Sequence, residues 1–544
     1  MRIVLVHPAG SNWIPGRKDM AAVANRMAPL GLLSIAAYLE RAGHTVFVHD
    51  CLGPQAPSGI SANVSRIMDN EPDLVGFSAT TSGFLDGYDM AVAIKRIRPE
   101  VRTVFGGVHV SALGGRLLER FEQIDYLCPG EGEVTLTELA DGRAPGEIVG
   151  LIWRDGERIV VNPPRAHLPD LDALPFPAYE KLAGFPKRYN LPLFSYILAP
   201  GATMVTSRGC PYRCSYCDRS VFHQGFRYNS PDYVYAHMQY LRTRFGVRHL
   251  NVYDDLFTLN RKRIAGLCDL LVDRPLGMQF NCAVRVGHVD DELLRMLKAA
   301  GCLMVSLGIE SGDPDLLAVH KPGVYLDEVK GTVGRIQAAG LRVKGLFMMG
   351  LPGETAASIQ KTSDFVISLG LDDMNMAKFT PFHGAPVWRT IFEEGTVEED
   401  WRLMNCLNFV FLPHGFKSRE EMDAMYNWHV KRFYDSRGYR RRFAKRLWQH
   451  RWSLWHVARH LPETIAAARY FSANKEQIEK ARQEFRRHPR QPVGLKPQLS
   501  PELQVDNIVS MSPVKLSRRE VMKSIQPVAA GGGGCSAPPA PATV

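Results

Sequence analysis

Cysteine is scarce in this chain, with ten in 544 residues. Long apolar runs are absent: none reaches the ~18 residues that a membrane span needs. The opening MRIVLVHP lacks the build of a signal peptide. These absences lead us to expect a cytoplasmic protein, where disulfides are rare and clustered cysteines favour metal binding or catalysis. Surplus charge is also missing from most of the chain. The net charge of +10 is concentrated between Lys431 and Arg459, where ten Lys/Arg face one acid, Asp435. The near-neutral remainder argues against nucleic acid as a partner. Apolar residues at 45% and charged residues at 22% describe an ordinary globular chain, long enough for two or three domains.

What is present is a repeated pattern. Short apolar runs at Arg2–Val6, Thr45–Val48, Asp73–Ser78, Thr103–Phe105 and Ile124–Leu127 alternate with amphipathic segments such as PLGLLSIAAYLERAGH, which ends on a glycine stop signal at Gly43. The alternation predicts an α/β, doubly wound parallel sheet over residues 1–160, with ligands at the carboxyl ends of its strands. LIWRDGERIVV reads as a hairpin turning at Asp155-Gly156. Residues 161–201 are proline-rich and read as a linker. A second series follows at Thr203–Ser207, His249–Tyr253, Gln279–Cys282, Leu303–Gly308, Val343–Met349 and Met374–Phe379. It predicts a full or partial β/α barrel over 202–389, with chemistry at the C-terminal strand ends. Residues 390–486 are expected to be helical. The tail 487–544, rich in Pro, Gly and Ser, is expected to be disordered.

Three of the cysteines fall within eight positions, in TSRGCPYRCSYCDRS: Cys210, Cys214 and Cys217. Zinc in a structural site wants four protein ligands, and no second C-x-x-C or H-x-x-x-H follows at suitable spacing. Three thiolates suit three irons of a [4Fe–4S] cube, leaving one iron open for a further ligand. Unliganded cysteines are the bland alternative. Cys51, Cys128, Cys268, Cys282, Cys302, Cys406 and Cys535 are scattered and read as small buried or exposed side chains.

The spacing C-x-x-x-C-x-x-C, with Tyr216 before the last cysteine and a strand before the first, resembles the cluster loop of radical S-adenosylmethionine (SAM) enzymes. In that family the open iron binds SAM, and reductive cleavage yields a 5′-deoxyadenosyl radical. The resemblance extends along the barrel. GIESGD, with Gly308, Glu310 and Gly312, is similar to the segment beside the adenosine, where glycine admits close approach. MMGLPGET, with Pro352 and Gly353, resembles the stretch that packs on the adenine. Asp254 and Asp255 stand where the family binds SAM's amino group or ribose, and Arg285 is placed to pair with a carboxylate.

A doubly wound domain ahead of such a barrel resembles the cobalamin-dependent subfamily, through APLGLLSIAAYLERAGH, VGFSATTS, FGGVHVSAL and GEGE. The resemblance implies that Ser78, Thr80 and Ser82 bond the nucleotide tail of cobalamin. It also implies that Gly106 and Gly107 let the backbone approach that tail. Many cobalamin proteins supply a histidine to cobalt from D-x-H-x-x-G. Here Arg26 and Ala28 occupy the Asp and His positions, so no histidine from that loop reaches the metal. His7 and His109 read as loop or base neighbours rather than ligands.

The resemblance implies an enzyme using a [4Fe–4S] cluster, SAM and cobalamin, with methylation of an unactivated carbon as the leading reading. The alternative is an oxygen-independent cyclisation or ring rearrangement. A tRNA methylthiotransferase is disfavoured because only Cys51 and Cys128 lie upstream of the cluster loop. A non-catalytic cobalamin or electron carrier would need neither Asp254 nor GIESGD. The expected partners are a small-molecule substrate, polycyclic or lipid-like, and an electron donor such as flavodoxin or ferredoxin. Residues 428–459 hold four of the eight tryptophans, with Phe443, Leu447, Trp448, Trp452 and Trp455 at helical spacing opposite Arg and Lys. That segment predicts peripheral contact with an anionic membrane, broken into two helices at Gly438.

Overall fold

A computed structural model of the chain describes residues 1–10, 26–223, 225–462 and 465. The N-terminal sheet comprises β1 (Arg2–His7), β2 (Thr45–Asp50), β3 (Leu74–Ser78), β4 (Arg102–Gly106), β5 (Tyr126–Cys128), β6 (Ile152–Asp155) and β7 (Arg158–Val161). Its order is β2-β1-β3-β4-β5-β6-β7, parallel through β5 and antiparallel in the β6–β7 hairpin. Helices cover both faces, which is why the strands read as apolar throughout: Ile3 to Val6 are fully buried. The helix Leu30–Arg41 turns Leu32, Leu33, Ala36 and Leu39 inward, one face of a 3.6-residue period. It stops before Gly43, whose φ of +91° lies in the left-handed region. In this strand order the chain reverses direction across the sheet between β1 and β3. Ligands of such sheets sit at the carboxyl ends there.

Residues 162–200 are more than a tether. Tyr179, Tyr189, Leu191 and Tyr196 are buried, and the Tyr189 hydroxyl donates to Asp50 Oδ2 at 2.9 Å. The second half contains β8 (Gly201–Met204), β9 (Ser207–Arg208), β10 (Arg227–Tyr228), β11 (His249–Val252), β12 (Gln279–Val284), β13 (Cys302–Glu310), β14 (Arg342–Met349) and β15 (Asp373–Lys378). Six of them form an open parallel sheet, β15-β14-β13-β12-β11-β8, which makes the barrel partial. The expected first barrel strand, Thr203–Ser207, is split, because after Met204 the chain steps out and β9 pairs antiparallel with β10. Along β13 the burial alternates from Ser306 onward. Leu307 and Ile309 are fully buried, and Ser306, Gly308 and Glu310 on the other face are less so.

The stretch expected to be helical from 390 begins otherwise. A short helix, Ile391–Glu394, leads into an antiparallel pair, β16 (Gly395–Val397) and β17 (Phe411–Pro413). Continuous helix starts at Arg419 and runs as Arg419–Asp435, Arg437–Arg446 and Arg451–Arg459. The break falls at Ser436 rather than Gly438. Ser436 ends one helix and caps the next by accepting from Tyr439 N. The expected disordered tail lies outside the described residues.

No helix among the described residues is long and apolar enough to cross a membrane. The face expected to meet lipid is divided. Phe443 packs on Phe194 and Tyr439, with ring centroids 5.4 and 5.9 Å away. Trp452 Nε1 donates to the Tyr196 hydroxyl at 2.9 Å. Trp448 and Trp455 remain 79% and 50% exposed.

Candidate functional site

The three cysteines lie on residues 209–226, an excursion that leaves from β9 and returns at β10. Its neck closes at Gly209 (φ +85°), where a Cβ would stand 2.1 Å from Gly225 O, so only glycine fits. Cys210, Cys214 and Cys217 are all free and partly buried. Burial pushes the Cys210 thiol up, with Asp255 and Cys214 adding to it. Burial pushes Cys217 up to about 12, with Cys214, Asp255 and Cys210 adding. Thiols that oppose one another's ionisation need a cation to become thiolates together, and iron supplies that charge. Among the described residues no three Cys, His, Asp or Glu side chains converge on a single metal ion. A cube binds each thiolate to a different iron and needs no such convergence. The donor set fits a [4Fe–4S] cluster.

The residues around this loop sort into those that face it and those held elsewhere. Arg285 Nη1 lies 3.9 Å from Cys214 Sγ, and its guanidinium stacks 3.8 Å from the Tyr212 ring centroid. That placement puts a cation beside the cysteines, buried and fixed by a second bond from Nη2 to Pro322 O at 2.8 Å. Asp255 is exposed next to the cysteines. Asp254 is not available to SAM. Its oxygens accept from Thr206 N and Oγ1 at 2.5 Å and from Ser207 N at 3.1 Å, with Arg263 Nη1 at 3.9 Å. Asp254 is held by Thr206 and Ser207 ahead of the loop, and only Asp255 of this pair reaches the cysteines.

Glu310 sits at a register shift between β13 and β14 with φ +70°, a bulge that re-aims its side chain toward Lys321 Nζ at 2.8 Å. A Cβ at Gly308 would stand 2.6 Å from Lys321 Nζ, so that glycine admits the lysine. Gly312 admits a helix rather than a ligand, since its Cβ would stand 2.6 Å from Thr362 Cα. Pro352 O accepts from His320 Nε2 at 2.8 Å, while His320 Nδ1 meets Ser215 Oγ at 2.7 Å. His320 thereby joins the Pro352-Gly353 turn to the cysteine loop. Sequence reasoning missed His320, Lys321 and Tyr212, because no motif string includes the first two and none assigned Tyr212 a partner.

In the first domain, Ser78 and Gly106 are paired at the carboxyl ends of β3 and β4. Gly107 has φ +95°, and a Cβ there would stand 2.7 Å from Ala79 O, so its first duty is the turn itself. Thr80 Oγ1 lies 3.4 Å from Ser82 Oγ, beside buried Thr81. His109 is buried beyond this rim. Its Nδ1 meets Thr81 Oγ1 at 3.2 Å and its Nε2 has no partner. The hydroxyls of Ser78, Thr80 and Ser82 at this rim suit a ligand rich in amides, as cobalamin is. The His109 ring instead packs between Trp401 and Phe84, with ring centroids 4.4 and 4.8 Å away. Ala28 is buried, Arg26 Nε donates to Leu52 O at 2.7 Å, and His7 Nδ1 lies 2.9 Å from Asp50 Oδ1.

The two rims meet. Val387 N donates to Ser215 O at 2.9 Å. Val387, Trp388 and Ile391 share a core with Phe77, Phe84 and Phe105 of the first domain, and Tyr216 packs against that core. The GEGE string, read as part of the first domain's signature, reaches across the same seam. Glu131 and Glu133 pair with Arg208, each at 2.6 Å. The arginines hold the Glu131 carboxyl below the usual range although burial opposes this.

Comparison with known proteins agrees with this geometry. The B12 binding domain family matches residues 16–140 and the Radical SAM superfamily matches residues 204–366. An uncharacterized methyltransferase of Pyrococcus horikoshii is 29% identical over 77% of this chain and 90% of its own. The anaerobic magnesium-protoporphyrin IX monomethyl ester cyclase of Rubrivivax gelatinosus is 24% identical over 81% and 78%. Among solved structures, the radical S-adenosylmethionine methyltransferase TsrM of Kitasatospora setae, with cobalamin and a [4Fe–4S] cluster bound, shares the fold. Its TM-score is 0.58 at 21% identity, covering 72% of this chain and 74% of TsrM.

Proposed function

We propose that this chain, a radical SAM protein that also carries a B12-binding domain, methylates an unactivated carbon of a large or polycyclic small molecule. The observation that carries the reading is the seam itself. The carboxyl ends of β3 and β4 and the cysteine loop are bridged by one segment, 379–391. Its Val387 bonds Ser215 of the loop, and Val387, Trp388 and Ile391 share a core with Phe77 and Phe105. When bound, the cofactors supply a hydrogen-abstracting radical and a transferable methyl group.

The chain's own residues bind and orient. Cys210, Cys214 and Cys217 hold three irons. Arg285 takes the carboxylate of SAM and Asp255 its ammonium or ribose. Glu310 is kept aligned by Lys321. Gly308, Pro352 and Gly353 shape the walls beside the adenosine. Ser78, Thr80, Ser82, Gly106 and Gly107 line the seat of the nucleotide tail. We assign residues 1–160 to the cobalamin-binding half, 161–201 to the connection, 202–389 to the barrel and 390–486 to the C-terminal region. A flavodoxin- or ferredoxin-type donor is the proposed reductant, and Trp448, Leu454 and Trp455 are the proposed lipid contact. Cyclisation without methyl transfer is the second reading, favoured by the similarity to the magnesium-protoporphyrin cyclase.

The test is anaerobic incubation of reconstituted protein with cobalamin, a strong reductant and SAM deuterated in its methyl group. Methylation requires both 5′-deoxyadenosine and S-adenosylhomocysteine. 5′-Deoxyadenosine alone supports cyclisation, and neither product from iron-loaded protein refutes both readings.

A further inference from the structure

The excursion 209–226 is held at its neck by two arginines that face each other across the β9–β10 pair, Arg208 and Arg227. Both leave the barrel and reach one carboxylate of the first domain. Arg208 Nη1 donates to Glu131 Oε1 at 2.6 Å, and Arg227 Nη1 donates to both Glu131 oxygens at 3.0 Å. Arg208 Nη2 donates to Glu133 Oε1 at 2.6 Å, an oxygen that also accepts from Ser34 Oγ at 2.9 Å. Glu131 Oε2 is completed by His167 Nδ1 at 3.2 Å and Leu168 N at 3.1 Å. The knot is largely buried: side-chain exposure is 6% for Glu131, 4% for Glu133 and 15% for each arginine. A buried carboxylate shared by two guanidinium groups has few alternative arrangements, so it fixes distance and angle.

Its place gives the knot a use. Glu131 and Glu133 follow β5, which ends at Cys128, the partner of Gly106 in the sheet. Gly130 N donates to Ser111 Oγ at 2.9 Å, in the helix that starts after Gly107. The carboxylates therefore belong to the rim that seats the nucleotide tail, while their partners are the two residues bounding the cysteine loop.

We propose that Glu131 and Glu133 are positioning residues for the cysteine loop, and that through Arg208 and Arg227 they couple occupancy of the cluster seat to affinity at the cobalamin seat. The proposal rests on the two-cofactor reading for the identity of the seats, and not on the reaction run there. An assembled cluster ties Cys210, Cys214 and Cys217 together, which holds both arginines in place. The rim they grip is then ordered before cobalamin arrives, and binding there is tighter.

The experiment titrates hydroxocobalamin into the full-length protein in two states, one with its cluster assembled and one carrying Cys210→Ala, Cys214→Ala and Cys217→Ala. We expect the cluster-bearing chain to bind at least about fivefold more tightly. In Glu131→Gln, which keeps shape and acceptor but removes the charge, iron content should stay at the wild-type level. The affinity ratio between the two states should fall to within about twofold in that variant. Hydrogen exchange of 209–226 should quicken in cluster-free Glu131→Gln, with β11 to β14 unchanged. If that variant does not fold, Arg227→Gln, which leaves Arg208 with both carboxylates, carries the same readouts. A ratio near one in the wild type, a ratio undiminished in the variant, or unchanged exchange in the loop overturns the proposal. No readout requires turnover, so failure of the methyl-transfer reading and failure of this coupling are separable.

Discussion

Glu354, in the turn after β14, is an acid that the fold keeps from ionising. It is 1% exposed and accepts from the Gly350 amide. Burial pushes its carboxyl up to about 8, while the Gly350 and Leu351 amides pull the other way. The folded chain thus holds a proton that the unfolded chain releases above about 4.5. The side chain's contribution to stability is complete below that pH, falls as pH rises, and levels off beyond about 8. Glu354→Gln keeps a carbonyl for the amide and removes the proton. Measured as Tm against pH, the variant should gain on the wild type between about pH 5 and 8, by at most a few kcal/mol. Parallel curves would show that the carboxyl is ionised in the fold. Single residues were also where the sequence misled. Gly312 reads as a place for a ligand, yet Thr362 and Phe365 fill the space its missing Cβ leaves. Spacing reveals that a glycine is needed, and not what approaches it.

At the scale of elements, the basic segment 437–459 changes meaning. Arg446 pairs with Asp372, and Arg342 Nη1 lies 2.8 Å from His450 Nε2. Phe194 N donates to Ser453 Oγ at 3.1 Å. These contacts lie at the starting ends of β14 and β15 and at the approach to β8, on the face opposite the cysteines. The helices cover the foot of the half-barrel, and among the described residues Trp448, Leu454 and Trp455 face outward. Two substitutions separate the roles. Trp452→Ala removes a packed ring and a hydrogen bond, and should lower stability by about 2 kcal/mol in urea unfolding. Trp448→Ala with Trp455→Ala should change stability by under about 1 kcal/mol. If the segment meets lipid, the pair should also abolish co-sedimentation with anionic liposomes at low salt. Wild type that ignores such liposomes leaves the segment as a cover alone. The amphipathic period was legible in the sequence. Its partner was not, because a barrel foot and a membrane both reward an aromatic face.

Across the whole molecule, buried histidines set the response to acid. Burial holds His237 and His249 down to about 3, and His429 and His450 down to about 4. Each binds its proton in the unfolded chain near 6.5 and resists it in the fold. Their contribution is complete above that pH and is lost as pH falls toward 4, by up to about 1.4 kcal/mol per unit for each group. Glu354 works in the opposite direction, as do Asp86, Asp254 and Asp255, whose carboxyls burial also raises. His383, held down to about 4, and His109 act with the four histidines. Urea midpoints should rise slightly from pH 8 to 7, as Glu354 regains its proton, and drop steeply by pH 5. A midpoint unchanged at pH 5 would mean that these imidazoles are already charged in the fold. The sequence by itself determined the two β/α series, the order of their strands along the chain, and the three cysteines after the first barrel strand. All of these are local patterns of period, turn and spacing, readable without knowing what lies opposite. Only the tertiary structure decided that Asp255 and not Asp254 faces the cysteines, because Thr206 and Ser207, far earlier in the chain, hold the Asp254 carboxylate. It alone joined Glu131 to Arg208, 77 positions away, and laid the C-terminal helices over the barrel foot. Contacts between distant segments depend on how whole elements pack, and no local pattern carries that information.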